Sequence, residues 1–164
     1  MMVEWRPIRP FPGYSVSSEG FVRNDESGQR MALLVNQRGV VHVGLTKNRV
    51  QYKRAVGLLV ANAFIKNVYG PAFDCPINLD GDRYNNRVVN LAWRPKWFAV
   101  KYYHQFETAH FDDYYPIEED ETHKQFYNPW KAATAHGLLQ VDILLSLNKG
   151  LKVWPSERSF SRAE

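Results

Sequence analysis

The sequence predicts an α+β protein: a small antiparallel sheet with one core helix, a second strand pair followed by a helix, and a closing pair of short helices. Three observations carry this expectation. Apolar residues alternate with period two from Met31 to Tyr52, the mark of half-buried strands. From Ala55 to Phe64 they recur at helical spacing, enough for a helix packed on a core. Near the C-terminus, Asn128 and Pro129 open an alanine-rich stretch that Gly137 interrupts before a second apolar run. An apolar fraction of 45% in 164 residues is enough to fill such a core.

Taken in order, Tyr14 to Ser17 and Phe21 to Asn24 read as two short strands around a turn at Gly20, with Pro7, Pro10 and Pro12 opposing regular structure before them. Trp5 and Tyr14 read as core. Met31, Leu33 and Val35 form the next strand; Gln37 to Gly39 turn it into Val41, Val43 and Leu45, and Lys47 to Arg49 turn that into Val50 and Tyr52. His42 falls on the opposite, solvated face of its strand. Trp93 to His104 brings Lys96 and Lys101 together with Trp93, Trp97, Phe98, Tyr102 and Tyr103. Basic and aromatic side chains so interleaved can grip nucleic acid by charge and stacking, and can equally cover a sheet. In the C-terminal pair, Ala132, Ala133 and Ala135 permit close helix packing. Leu139 to Leu147 forms the second helix, ended by Asn148, Lys149 and Gly150. Its expected exposed residues are Gln140, Asp142, Ser146 and Lys149.

The residues Asp74 to Trp93, DCPINLDGDRYNNRVVNLAW, resemble the motif of the HNH endonucleases of bacteriophages, V-[DN]-H-x-D-G-[DN]-x-x-N-N-x-x-x-N-L-x-W. Asp80, Gly81, Asp82, Asn85, Asn86, Asn90, Leu91 and Trp93 match it. The resemblance implies a ββα-metal body in which a histidine acts as general base on the attacking water, but that histidine falls on Asn78. Where the nicking enzymes place a metal-binding aspartate stands Ile77, and the following asparagine register lands on Ala99; only Asn90 remains of the functional set. The helix before the motif usually reads V-H-R-L-V-A-x-A-F, and here Gly57 and Leu58 replace its polar pair. Asparagine cannot exchange a proton near neutral pH as histidine can, and isoleucine offers no oxygen to a hard cation. No metal, and no other cofactor, is therefore expected, Mg²⁺ being required only if the chain cuts DNA.

The segment EWRPIRPFPGYSVSSEGFVR, Glu4 to Arg23, resembles the nuclease-associated modular domain of phage homing endonucleases, and Asn128 to Gly150 resembles the small helix-turn-helix at their C-terminal end. In such a module the second helix enters the major groove. The expected organisation is a modular segment over 1–30, a degenerate HNH-like body over 31–106, an acidic linker over 107–122, a helix-turn-helix over 123–155 and a tail over 156–164.

Charge is segregated. Residues 1–106 hold 15 Lys and Arg against 7 Asp and Glu, residues 107–121 hold none against 7, and residues 122–164 hold 6 against 3, within a net charge of +4. Basic regions are a footprint for phosphate backbones, and the candidate DNA contacts are Arg38, Lys47, Arg49, Lys53, Arg83, Arg87, Arg94, Lys96, Lys101, Gln140 and Lys149. The acidic stretch has three readings: a solvated spacer, a competitor for the basic body, or a docking strip for a host protein anchored by Phe111, Tyr114, Tyr115 and Ile117. His104, His110, Asp112 and Asp113 are of metal-ligating type, without a spacing that requires a metal. A single cysteine, Cys75, excludes an internal disulfide and a cysteine-based zinc site. With no signal peptide or membrane-spanning run, the expected setting is the cytoplasm of an infected host. The expected function is duplex DNA binding without cleavage by a phage-encoded regulator. The alternatives are capture of a host protein such as a polymerase, and metal-dependent nicking through relocated groups such as His104 or His110.

Overall fold

The computed structural model describes residues 2–164, which cluster into two compact units. The first runs to Asn78 and resumes over Asp82–Lys96; the second takes Leu79–Gly81 and Trp97–Glu164.

In the first unit, β1 (Trp5–Pro7), β2 (Tyr14–Ser17) and β3 (Val22–Asn24) make an antiparallel sheet in that order. The prolines do not keep the opening irregular. An edge strand needs ladder bonds on one side only, so Pro7 can end β1 opposite Ser15. A second antiparallel sheet follows from β4 (Leu34–Val35), β5 (Val41–Lys47) and β6 (Val50–Ala55). Asn48 and Arg49, both at positive φ, make the two-residue turn between β5 and β6. Val41, Val43 and Leu45 are buried as the alternation requires, whereas Val50 and Tyr52 stay 50% and 37% exposed. The core cluster takes side chains from β5 and none from β6, so periodicity overstated the buried part of this ribbon.

The helix α1 (Val56–Phe64) has no side-chain N-cap and no acidic residue in its first turn, so packing must hold it. It buries Val56, Leu59, Val60 and Ala61, and joins Ile8, Phe11, Val16, Val22, Val43, Leu45 and Leu91 in one core. Each large side chain fully withdrawn from water there contributes about 1.5–3 kcal/mol. The strands β7 (Cys75–Asn78) and β8 (Leu91–Arg94) pair antiparallel, with Asn78 opposite Leu91 and Ile77 opposite Ala92. A single 3₁₀ turn, Val88–Asn90, leads into β8.

The second unit contains α2 (Lys96–His104) from Trp97 onward, β9 (Ile117–Glu119), β10 (Gln125–Phe126), α3 (Pro129–His136), α4 (Gln140–Lys149) and β11 (Phe160–Arg162). The sheet order is β10-β9-β11, so β9, inside the expected acidic linker, is a central strand, and the expected tail supplies its partner β11. The carboxylates of residues 118–121 are engaged rather than free in solvent. Glu119, fully buried, lies against the Arg158 guanidinium, the cation that a buried carboxylate requires, and 3.2 Å from His136 Nε2, whose imidazole burial pushes toward the neutral form. The Ser161 hydroxyl donates to Asp120 (2.6 Å), and the Ser159 amide donates to Glu121 (3.1 Å). Ile117, Phe126, Ala132, Ala133, Leu138, Ile143, Val153 and Phe160 form this unit's core.

The helical pair forms as its caps require. Asn128 Oδ1 accepts from the Lys131 amide at 2.9 Å with Pro129 in the first turn, and Gly137 closes α3 in the left-handed conformation at φ 65°. Among the described residues no helix is long and apolar enough to cross a membrane.

Candidate functional site: the asparagine corner and a basic surface

The asparagines of the motif form one hydrogen-bonded knot in the first unit. Asn78, at the end of β7, is 5% exposed; its Nδ2 donates to the Asn85 carbonyl at 2.8 Å and to Asn86 Oδ1 at 3.0 Å. Asn90, from the turn before β8, donates its Nδ2 to the same Asn85 carbonyl at 2.9 Å. The two positions that sequence spacing paired as catalytic therefore meet on one backbone oxygen. They meet as structural amides, since none of Asn78, Asn85, Asn86 and Asn90 titrates near neutral pH.

Asn86 is clamped from two sides. A Cβ on Gly57, in α1, would stand 2.9 Å from Asn86 Oδ1, and one on Gly20, at φ +87°, would stand 3.2 Å from the Asn86 carbonyl oxygen. The histidine usual at position 57 in related helices has no room here, because the Asn86 carboxamide occupies that space. Gly57→His should therefore cost roughly 1–3 kcal/mol by overpacking. Thermal unfolding of this variant beside Gly57→His/Asn86→Ala tests this: the double variant should recover part of the loss, and additive effects would count against the clamp.

Ile77 is fully buried and Ala99, within α2, is 4% exposed. The corner does not fit a divalent cation, because the position that would supply a carboxylate presents a buried aliphatic side chain. No group of three or more His, Cys, Asp or Glu assembles into a metal site among the described residues. Cys75, at the start of β7, has its thiol pushed up by burial and then by the Asp74 charge, with Lys96 and Arg83 opposing, so it is no ready thiolate. In the second unit, His104 is exposed and lies 3.6 Å from Glu107, while His110 stacks on Trp130 at 4.1 Å between centroids.

The candidate cations divide. Arg38, Lys47, Arg49 and Lys53 are exposed along β5, β6 and their turns; Lys96, Lys101 and Lys149 are also exposed. Arg83 is half-buried, and the Arg87 side chain lies 2.6 Å from Glu19. Arg94 is a correction: it is 5% exposed and donates to the Trp93 carbonyl at 2.7 Å, so it offers no surface charge. The proposed reading face of α4 also changes. Ser146 is buried and its Oγ accepts from the Phe160 amide at 3.0 Å, Gln140 Oε1 accepts from the Phe111 amide at 2.7 Å, and Asp142 is half-buried with its carboxyl pushed up by burial. Val141, Leu145, Asn148 and Lys149 are exposed instead. Helical phase alone had no means of locating β11, which covers Ser146.

Of the anchors proposed for a host protein, Ile117 is core and Tyr115 packs on that core, leaving Tyr114 as the well-exposed one at 67%.

No protein-family profile matches the chain. It is 32% identical over 93 residues to an uncharacterized HNH endonuclease of Acanthamoeba polyphaga mimivirus, a match covering 57% of this chain and 27% of that protein. The chain thus corresponds to little more than a quarter of this relative's length. Its fold is similar to that of the HNH homing endonuclease I-HmuI, in a structure described as DNA binding and cleavage, with a TM-score of 0.55, 22% identity and 98% of both chains covered.

Proposed function

We propose that this chain, a homologue of the HNH endonucleases, binds duplex DNA without cutting it and serves as a phage-encoded regulator. One observation carries the reading: the position of the general base is held by Asn78, whose amide is committed to the Asn85 carbonyl and Asn86 Oδ1 inside the fold. A group locked in this way neither takes a proton from water nor approaches a phosphate. Beside it, Ile77 leaves no ligand for the cation that would stabilise charge on the scissile group. What persists of the scaffold is the basic surface. Arg38 lies in the turn before β5 and Lys47 and Arg49 at its far end, so the cations span roughly 20 Å at the rise of an extended strand.

The expected result is duplex binding that weakens steeply with salt. About five phosphate contacts give a log-log slope near −4 to −5, because each contact releases condensed counterions. Fluorescence anisotropy of a labelled duplex across a salt series measures it; a flat dependence, or no binding at low salt, removes the reading. Neutralising Lys47, Arg49 and Lys53 together should flatten that slope by about two to three.

A further inference from the structure

The second unit carries an aromatic surface that its own core does not use. Trp97, in α2, is 55% exposed and stacks on Trp154, 38% exposed, with centroids 5.1 Å apart and planes 27° apart. Phe98, fully buried, lies beneath both indoles, 5.9 Å from Trp97 and 5.5 Å from Trp154, and fixes their positions. Val100 and Leu151 extend the exposed apolar surface in sequence on either side, at 63% and 52% exposure. Large aromatic side chains left in water at such a density mark a binding surface more often than an accident of packing.

Charge selects the occupant. The Lys101 ammonium sits 5.5 Å from the Trp97 ring centroid, at the outer reach of a cation–π contact. The two segments that carry the indoles, residues 97–106 and 143–156, contain Lys101, Lys149 and Lys152, and the carboxylates nearest in sequence, Glu107, Asp142 and Glu157, flank them. Asp142, whose carboxyl feels the Lys101 charge, is half-buried. A flat π surface with a flexible ammonium group beside it complements a nucleobase with its phosphate: the base stacks, and Lys101 leaves the ring for the phosphate oxygen. Bases inside an intact duplex are already stacked on each other, so the surface discriminates in favour of an unpaired one.

We propose that the Trp97–Trp154 pair is a base-stacking platform that takes an unpaired nucleotide of single-stranded, gapped or locally opened DNA. This deepens the DNA-binding reading, and rests on it for the class of ligand. Neither indole is a position of the asparagine motif.

The test uses the full chain and three labelled probes of one sequence at fixed salt: an intact duplex, the same duplex with a short central gap, and the single strand. Wild type should bind the gapped duplex more tightly than the intact one, with quenching of tryptophan fluorescence. Trp97→Ala should weaken binding to the gapped and single-stranded probes by about tenfold, the loss expected of one stacked base, and change intact-duplex binding by less than twofold. Trp97→Phe, which keeps an aromatic face, should restore most of the loss and guards against a folding defect in the alanine variant. Equal effects of Trp97→Ala on all three probes, or none on any, overturn the platform. A dimer in sedimentation that Trp97→Ala converts to monomer, with no preference for gapped DNA, overturns it in favour of a second copy. Binding of the single strand without the intact duplex would sink the duplex reading while upholding the platform.

Discussion

Ile77→Asp should unfold the first unit or bring it close to unfolding. Ile77 is fully buried on β7. The change forfeits about 1.5–3 kcal/mol of apolar burial and buries a carboxylate; an unpaired buried charge costs several kcal/mol more. A loss on the order of 5 kcal/mol exceeds the reserve of many domains this size. Urea unfolding followed by circular dichroism reads it directly. A variant whose midpoint stays near that of wild type would show that this strand yields easily, and that the corner can accept a carboxylate and with it a cation. Asn78→Ala should lose less, roughly 1–3 kcal/mol, since it leaves the Asn86 Oδ1 atom without its donor while Asn90 still serves the Asn85 carbonyl.

The unmodified chain should leave supercoiled plasmid intact in Mg²⁺ or Mn²⁺, and Asn78→His alone should not change that. General-base catalysis supplies typically ~10²–10⁴-fold, and the charge stabilisation a cation provides comes in addition. An imidazole at position 78 beside Ile77 would have the base without the Lewis acid, in a pocket shaped for an amide. Converting Ile77, Asn78 and Ala99 together to Asp, His and Asn replaces three side chains no more than 5% exposed, so the triple variant is expected to fail by instability before its chemistry is tested. Metal-dependent nicking by the wild-type chain, abolished by substitution of His104 or His110, would overturn the non-cleaving reading.

Local chemistry made much of this protein legible. The hairpin register around Asn78 and Asn90 follows from Asp80-Gly81-Asp82 on one side and Asn90-Leu91-Ala92-Trp93 on the other, and the structure brings both asparagines to the Asn85 carbonyl. The core face of β5, the burial of α1, and the Asn128 and Gly137 caps follow from side-chain period and capping chemistry. The clamp on Asn86 could have been suspected from glycine at 57 in the first turn of a mostly apolar helix, yet nothing local identified the side chain that fills the space.

The sequence by itself determined where the strands of the second sheet and most of the helices run and which residue types stand at the motif positions, because backbone periodicity, caps and residue type act within a few positions of each other. Only the tertiary structure decided what covers each face. The run Glu118 to Glu121 reads as solvated charge until Arg158, Ser159 and Ser161, some forty residues on, arrive beside it. Ser146 reads as exposed until β11 lies over α4, and Trp97, which the sequence leaves open between stacking on nucleic acid and covering a sheet, proves half-exposed beside Trp154. Burial is a property of both partners in a contact, and pairing across long stretches of chain imposes no pattern on the residues between them.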